Sequence, residues 1–161
     1  MKHTYVKELM TSPAITCETK ATINEVVTIM KEKNIGFIPI TKNNILVGVV
    51  TDRDIVIRGF GIYKSNTKIE KVMTNGEIHF VNEDTTLIEA AKIMAKQKIR
   101  RLVVLKDGKT NGIITTKKLL TEPELFPFIA QTYHSNQTIE PYSMYINSNP
   151  HDSIKTSDFP L

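Results

Sequence analysis

The sequence predicts a mixed α/β (α+β) fold built from two copies of one β-α-β-β-α unit, packed about a pseudo-twofold axis. Sliding the 161-residue chain against itself by 64 residues brings Thr22 onto Thr86 and Gly48 onto Gly112 without a gap. Each copy contains one stretch with helical apolar periodicity, and each contains two short apolar runs that a turn separates. The same element order at a fixed spacing therefore predicts two equivalent halves.

Each copy is predicted to open with a short strand and a helix. Residues 14–17 and 78–81 are short extended runs, and a T-x-x-E capping box follows each run, beginning at Thr22 and Thr86. In such a box the hydroxyl and the carboxylate satisfy backbone donors reciprocally, which marks a helix start. Apolar residues at helical spacing then predict one core-facing stripe per copy: Ile23, Val26, Val27 and Met30, and Leu87, Ala90, Ala91 and Met94.

A hairpin and a second helix complete each copy. The hairpin turns contain Asn43-Asn44 and Asp107-Gly108, and Asp-Gly is a strong signal for a tight turn. The next helix begins directly after a strand, so its first backbone N–H groups lie at the strand's carboxyl end and can bind an anion. The predicted strands are residues 35–40, 46–51, 102–105 and 112–115, and the predicted helices are residues 52–58 and 116–120.

These signals divide the chain into three predicted segments. The first repeat with its lead-in spans residues 1–62, the second repeat spans residues 63–121, and a polar, proline-containing C-terminal tail spans residues 122–161. Aromatic residues in the tail leave two alternatives, a mobile tail or a segment that packs along the module or contacts a partner.

Composition limits the class of protein. The net charge is +4, and no apolar run approaches the roughly 18 residues of a membrane span. The first residues lack the apolar region of a signal peptide, so we expect a cytoplasmic protein without membrane contact. Cys17 is the only cysteine and is expected to be a buried apolar residue. The sequence contains no catalytic triad, metal cluster or P-loop, so we expect neither an enzyme nor a bound metal.

Several short motifs recur in the two copies. Residues 48–54, Gly-Val-Val-Thr-Asp-Arg-Asp, form the last strand-to-helix turn of the first copy, and Met-Thr pairs open the copies at residues 10–11 and 73–74. Together with the strands at residues 34–39 and 98–103, these motifs resemble the CBS (cystathionine-beta-synthase) domain pair, also called the Bateman module. The resemblance covers most of the chain and is closest to stand-alone bacterial proteins of this type.

The resemblance implies a regulatory module rather than an enzyme. Members of the family commonly bind AMP, ADP, ATP or related adenosyl ligands between the two repeats and transmit the occupancy to a partner. They often pair through their helices, so a homodimer is expected, with the apolar runs 55–57 and 119–120 as contact surfaces. An unidentified protein partner is compatible with this role, whereas the positive charge alone is weak support for a nucleic-acid partner.

The expected ligand site combines residues of both repeats. The Asp54 carboxylate can accept hydrogen bonds from ribose hydroxyls, and Thr51 can offer its hydroxyl to phosphate. The resemblance implies that Arg100 and Arg101 bind phosphate, for which guanidinium groups are suited, and that adenine lies against residues 78–80. The predicted binding residues are Thr51, Arg53, Asp54, Ile78, His79, Phe80, Arg100, Arg101 and Lys117.

Each of these residues also has a purely structural alternative. Thr51 can act as a helix N-cap, Asp54 as an acid favoured in the first turn of a helix, and the arginines as surface partners of carboxylates. At the level of the whole protein, two alternatives remain. One is a structural dimeric adaptor whose nucleotide site has decayed, and the other is a basic nucleic-acid-binding protein.

The equivalent site of the second repeat is predicted to be disabled. Lys118 stands where Asp54 stands in the first repeat, and Gly36 and Phe37 stand where the two arginines stand in the second. One ligand site per chain is therefore expected. Nothing in the sequence ranks AMP, ADP, ATP, S-adenosylmethionine and a cyclic dinucleotide as its ligand.

Overall fold

The computed structural model describes residues 1–133, so the predicted tail, residues 122–161, is described as far as residue 133 and lies outside the described residues from 134 onward. The order β-α-β-β-α occurs twice, as the sequence predicts, and a further helix follows within the described residues. The strands are β1 (Cys17–Glu18), β2 (Phe37–Lys42), β3 (Ile45–Thr51), β4 (Phe80–Asn82), β5 (Arg101–Lys106) and β6 (Lys109–Thr115). The helices are α1 (Ile23–Lys33), α2 (Asp52–Asp54), α3 (Leu87–Gln97), α4 (Thr116–Leu119) and α5 (Phe126–Tyr133).

Each repeat contributes one three-stranded sheet. Strand β1 is parallel to β2 and β2 is antiparallel to β3, and the strands β4, β5 and β6 repeat this arrangement. Both hairpins also shift register at equivalent positions of β2 and β5. Their turns have positive φ at Asn43, Asn44, Asp107 and Gly108, which is the geometry of a two-residue turn that matches strand twist.

Some element bounds differ from the predicted ones. Strands β1 and β4 begin at Cys17 and Phe80, later than residues 14 and 78, because only from these residues does the chain pair with the neighbouring strand. Helix α2 is also short, since it passes into a π-helical turn, Ile55–Gly59. The order of the elements is as predicted, and only their ends move.

Capping boxes start the two long helices, as predicted. The Thr22 hydroxyl accepts a hydrogen bond from Glu25 N–H, and the Glu25 carboxylate accepts one from Thr22 N–H. Thr86 and Glu89 repeat the arrangement at the start of α3. Because these bonds favour the charged form, they hold the pKa of both glutamates below its usual value.

The two repeats interlock through their lead-in segments. Val6, which precedes the first repeat, is buried in the core of the second repeat. Ile69 and Val72, which precede the second repeat, are buried in the core of the first. Isolated β-bridges support this exchange by joining Thr11 to Ile113 and Thr74 to Val49. Each repeat therefore needs the lead-in of the other to complete its core.

Two equivalent glycines allow the lead-in segments to approach the hairpins. A Cβ atom at Gly48 would lie 2.7 Å from the Met73 sulfur, and one at Gly112 would lie 2.7 Å from the Met10 sulfur. Any larger residue would push the lead-in away from the hairpin. The methionines thus fill the interface between the repeats.

Helix α5 covers the outer face of the second repeat only. The 3₁₀ turn Pro123–Leu125 leads into α5, which packs on α3 and buries Ile129 in the core of the second repeat. Ala91 of α3 is therefore 1% exposed, whereas the equivalent Val27 of α1 is 41% exposed. The prediction that Val27 faces the core is wrong, because no described helix covers this side of α1.

Candidate ligand-binding site

The N-terminus of α2 fixes a carboxylate at the end of β3. The Thr51 hydroxyl accepts a hydrogen bond from Asp54 N–H (3.0 Å), and Asp54 Oδ2 accepts one from Thr51 N–H (2.9 Å). Thr51 is thus a helix N-cap, one of the alternatives that the sequence left open. Its own O–H proton can still be donated to a ligand.

Arg58 holds the other oxygen of the same carboxylate. Its Nη2 donates to Asp54 Oδ1 and to the Thr74 hydroxyl (2.8 Å), and its Nη1 donates to the Met73 carbonyl (3.2 Å). Arg58 was not predicted as a site residue, although the i, i+4 spacing from Asp54 is a signal for such a pair. This side chain links α2 to the segment that leads into the second repeat.

A cavity of about 310 Å³ lies beside this carboxylate, between the two repeats. Its volume is near the lower end of the roughly 300–1,000 Å³ that small-molecule sites occupy. The predicted residues that line it are Thr51, Asp54, Ile78, His79, Arg100 and Arg101. The remaining lining residues are Phe37, Val49, Thr74, Glu77, Lys98 and Ile99. The structure therefore brings most of the predicted residues together at one place.

Three cations give the cavity its anion-binding capacity. The guanidinium carbon of Arg100 lies 6.0 Å from the centroid of the Tyr133 ring, and that of Arg101 lies 5.8 Å from the Phe37 ring. A guanidinium group that lies over an aromatic ring can still donate N–H groups to an anion. Lys98 adds an ammonium group to the same wall. Together with the α2 carboxylate, these groups suit a ligand that carries both phosphate and hydroxyl groups.

Three of the predicted site residues do not line the cavity. Phe80 belongs to β4, where successive side chains point to opposite faces, and because Val81 is buried, Phe80 is directed outward. Arg53 is exposed and lies about 100° around the helix from Asp54. Lys117 is exposed at the equivalent position of α4, which follows the hairpin of the second repeat. Ligand binding by these three residues therefore stays a prediction that this cavity does not support.

Part of the cavity wall consists of residues that were not predicted for this site. Phe37, which it assigned to the disabled site, lies against Arg101 in this cavity. Two signals could have identified further lining residues. Thr74 belongs to the repeated Met-Thr pair, and Lys98 lies two residues before the predicted Arg100. Glu77 had no signal, since nothing in its sequence context distinguishes it from a loop residue.

The equivalent position in the second repeat lacks the carboxylate. The Thr115 hydroxyl accepts a hydrogen bond from Lys118 N–H (3.3 Å), as the Thr51 hydroxyl does from the first turn of α2. Lys118 itself is exposed and carries an ammonium group. The second repeat has therefore kept the helix cap and not the acid.

A larger concavity, of about 680 Å³, is a weaker candidate. All of its residues come from the stretch 17–29 of the first repeat, and its charged side chains are Glu18, Lys20 and Glu25. Two carboxylates for one ammonium group disfavour a phosphate. Burial raises the pKa of the Cys17 thiol, which lies at this concavity, so thiolate chemistry is disfavoured as well.

Within residues 1–133, His, Cys, Asp and Glu side chains form no cluster of three or more that could hold a metal ion. The helices of the same part are too short and too polar to cross a membrane.

Comparison with known sequences matches the repeated unit. The family model described as CBS domain matches twice, over residues 6–59 and 69–124. A protein of Bacillus subtilis (strain 168), described as uncharacterized protein YlbB, is 39% identical over 115 residues, which are 70% of this chain and 77% of that protein.

Two similar solved structures contain adenosine ligands. The CBS domain pair of protein MJ0100, in complex with 5′-methylthioadenosine and S-adenosyl-L-methionine, aligns with a TM-score of 0.64 and 28% identity over 76% of this chain and 95% of that chain. The CBS domain protein PAE2072 from Pyrobaculum aerophilum, complexed with AMP, aligns with a TM-score of 0.68 and 24% identity over 78% of this chain and 98% of that chain. Because nearly the whole of each solved structure is covered, the architecture is shared as a unit.

Proposed function

This chain belongs to the CBS domain family, and on that basis we propose that it is a regulatory module that binds an adenine nucleotide between its two repeats. The observation that carries the proposal is the convergence of the Asp54 carboxylate with the Arg100 and Arg101 guanidinium groups at one cavity. A carboxylate suits ribose hydroxyls, and guanidinium groups suit phosphate. The adenosyl ligands of the MJ0100 pair support the same ligand class.

The proposed arrangement assigns one part of the ligand to each wall. Ribose hydroxyls donate to the Asp54 carboxylate, which retains lone pairs beyond those that its cap and Arg58 use. The phosphate lies between Arg100 and Arg101, and adenine lies against residues 78–79. AMP is the first candidate among the nucleotides, because the cavity is near the lower end of the usual size range.

Binding of this kind can be regulatory because the ligand contacts both repeats. A ligand that fits one relative arrangement of the repeats better than another shifts the population toward that arrangement. The lead-in segments connect each repeat to the core of the other, so a shift at the cavity is transmitted to both cores. We propose one such site per chain, because Lys118 replaces the acid at the equivalent position.

The proposal includes a homodimer that forms through the first repeat. Val56, Ile57 and Phe60 are exposed beside a concavity of about 370 Å³, and Phe60 is 83% exposed. On the second repeat α5 packs over α3, and of the two predicted contacts there Leu119 is fully buried whereas Leu120 is exposed. A second copy of the chain offers an identical apolar face, so isologous pairing buries both faces at once.

Titration calorimetry with AMP, ADP and ATP tests the ligand assignment. We expect one nucleotide per chain, with Asp54→Asn and Arg101→Ala each weakening the binding about tenfold or more, as expected for the loss of a charge-assisted hydrogen bond. Arg53→Ala is the matched control, because Arg53 lies next to Asp54 and outside the cavity. A folded protein that binds none of the three nucleotides would instead support the structural adaptor.

A further inference from the structure

The last turn of α5 contacts two of the residues that line the cavity. The Lys98 ammonium donates to the Gln131 carbonyl (2.6 Å), and the Arg100 guanidinium lies over the Tyr133 ring. Gln131 and Tyr133 lie beyond residues 69–124, where the second match to the CBS domain ends. A helix outside the repeated unit therefore contacts two of the cations that line the cavity.

Tyr133 makes a second contact through its hydroxyl group. Its hydroxyl lies 3.0 Å from the Thr116 hydroxyl, and Thr116 N–H donates to the Arg100 carbonyl (3.0 Å). Two separate contacts thus connect α5, α4 and the Arg100 backbone. A side chain that is already ordered loses less conformational entropy when it binds a ligand.

We propose that Tyr133 is a positioning residue for Arg100, and that ligand occupancy is thereby coupled to the docking of α5 on the second repeat. This inference rests on the proposed function, since it requires a phosphate in the cavity. A guanidinium group that lies over an aromatic ring can still donate N–H groups to phosphate, and an ammonium group has three donors to share. Helix and phosphate therefore use the same cations without excluding one another.

The coupling acts in both directions. If docked α5 orders Arg100 for the ligand, then the bound ligand must stabilise docked α5 by the same factor. The docking of the C-terminal helix thus becomes the structural readout of an occupied cavity. Hydrogen exchange of the α5 amides should accordingly slow in saturating AMP, and it should slow less in Arg100→Ala.

A double-mutant cycle on AMP binding tests the role of Tyr133. Tyr133→Leu should weaken AMP binding about three- to tenfold, the range expected for a cation–π contact, and should leave binding of adenosine unchanged because adenosine lacks phosphate. In an Arg100→Ala background, the same substitution should have no further effect. Phe126→Leu is the control, because it removes a half-exposed ring from the opposite end of α5.

The outcomes separate this inference from the proposed function. Equal losses for AMP and adenosine, or an effect of Tyr133→Leu that persists without Arg100, would show a structural role for Tyr133 and overturn the inference. Tighter AMP binding by Tyr133→Leu would show that the ring competes with phosphate, which also overturns it. If the wild-type protein binds neither AMP nor adenosine, the proposed function itself fails and this inference fails with it.

Discussion

The outer faces of the two repeats begin from equivalent residues and have different surroundings. On the second repeat, Leu125 and Ile129 pack over α3, and the small Ala91 is buried beneath them. On the first repeat the equivalent residue is the larger Val27, which no described helix covers. One unit therefore serves two purposes, internal packing in one copy and an apolar surface in the other.

The two repeats also differ at the equivalent ligand positions, because only the first repeat has the carboxylate. Thr51 and Thr115 cap their helices with the same hydrogen bond, so the element that determines the local fold is present in both repeats. The carboxylate follows only the first of these caps, and Lys118 follows the second. Residues that hold the fold are thus duplicated, whereas residues that suit a ligand are not.

The largest effect is expected when Leu119 and its equivalent in the first repeat, Ile55, are truncated, because the two residues differ in burial. Leu119 is fully buried, so Leu119→Ala should lower the free energy of unfolding by about 3 kcal/mol, as for other core leucines. Ile55 is half-buried, and Ile55→Ala should cost about 1–2 kcal/mol because part of the side chain already contacts water. Chemical denaturation at a concentration where the protein is monomeric measures both values. Equal losses would contradict the deeper burial of Leu119.

A charge on the exposed apolar face of the first repeat should weaken self-association. Phe60→Asp should raise the dissociation constant of the proposed dimer about tenfold or more, because pairing would then bury a carboxylate against an apolar surface. Leu120→Asp, on the exposed end of α4, is the matched control and should leave the dimer intact. Sedimentation velocity over a range of concentrations measures the equilibrium. A wild-type protein that stays monomeric throughout, or equal effects of the two substitutions, would contradict an interface on the first repeat.

The local elements could be predicted because their causes are local. The capping boxes at Thr22 and Thr86 and the turn at Asp107-Gly108 depend on residues within four positions of each other, and the structure contains all three. The exchange of lead-in segments could not be predicted in this way. Val6 is as apolar as many residues near it in sequence, and only the packed structure shows that its core belongs to the other repeat.

In the candidate site, too, some residues could be predicted from the sequence and others could not. Asp54 and Arg101 were found from motif positions in the two copies, and the cavity contains both. Arg53 and Lys117 were predicted as well and lie outside the cavity, because a position in a motif does not set the direction of a side chain around a short helix. The contact of Tyr133 with Arg100 was not predicted, because it depends on where α5 packs against α3.

Lys118→Asp should have the smallest effect of all, although it restores the acid that the second repeat lacks. We expect calorimetry to show that the variant still binds one AMP per chain, because the residues equivalent to the two arginines are Gly36 and Phe37, and Phe37 lies in the first cavity. Lys117→Asp provides a control with the same change of charge. A second AMP bound by Lys118→Asp alone would show that one carboxylate is sufficient, and that a single residue separates the two ligand positions.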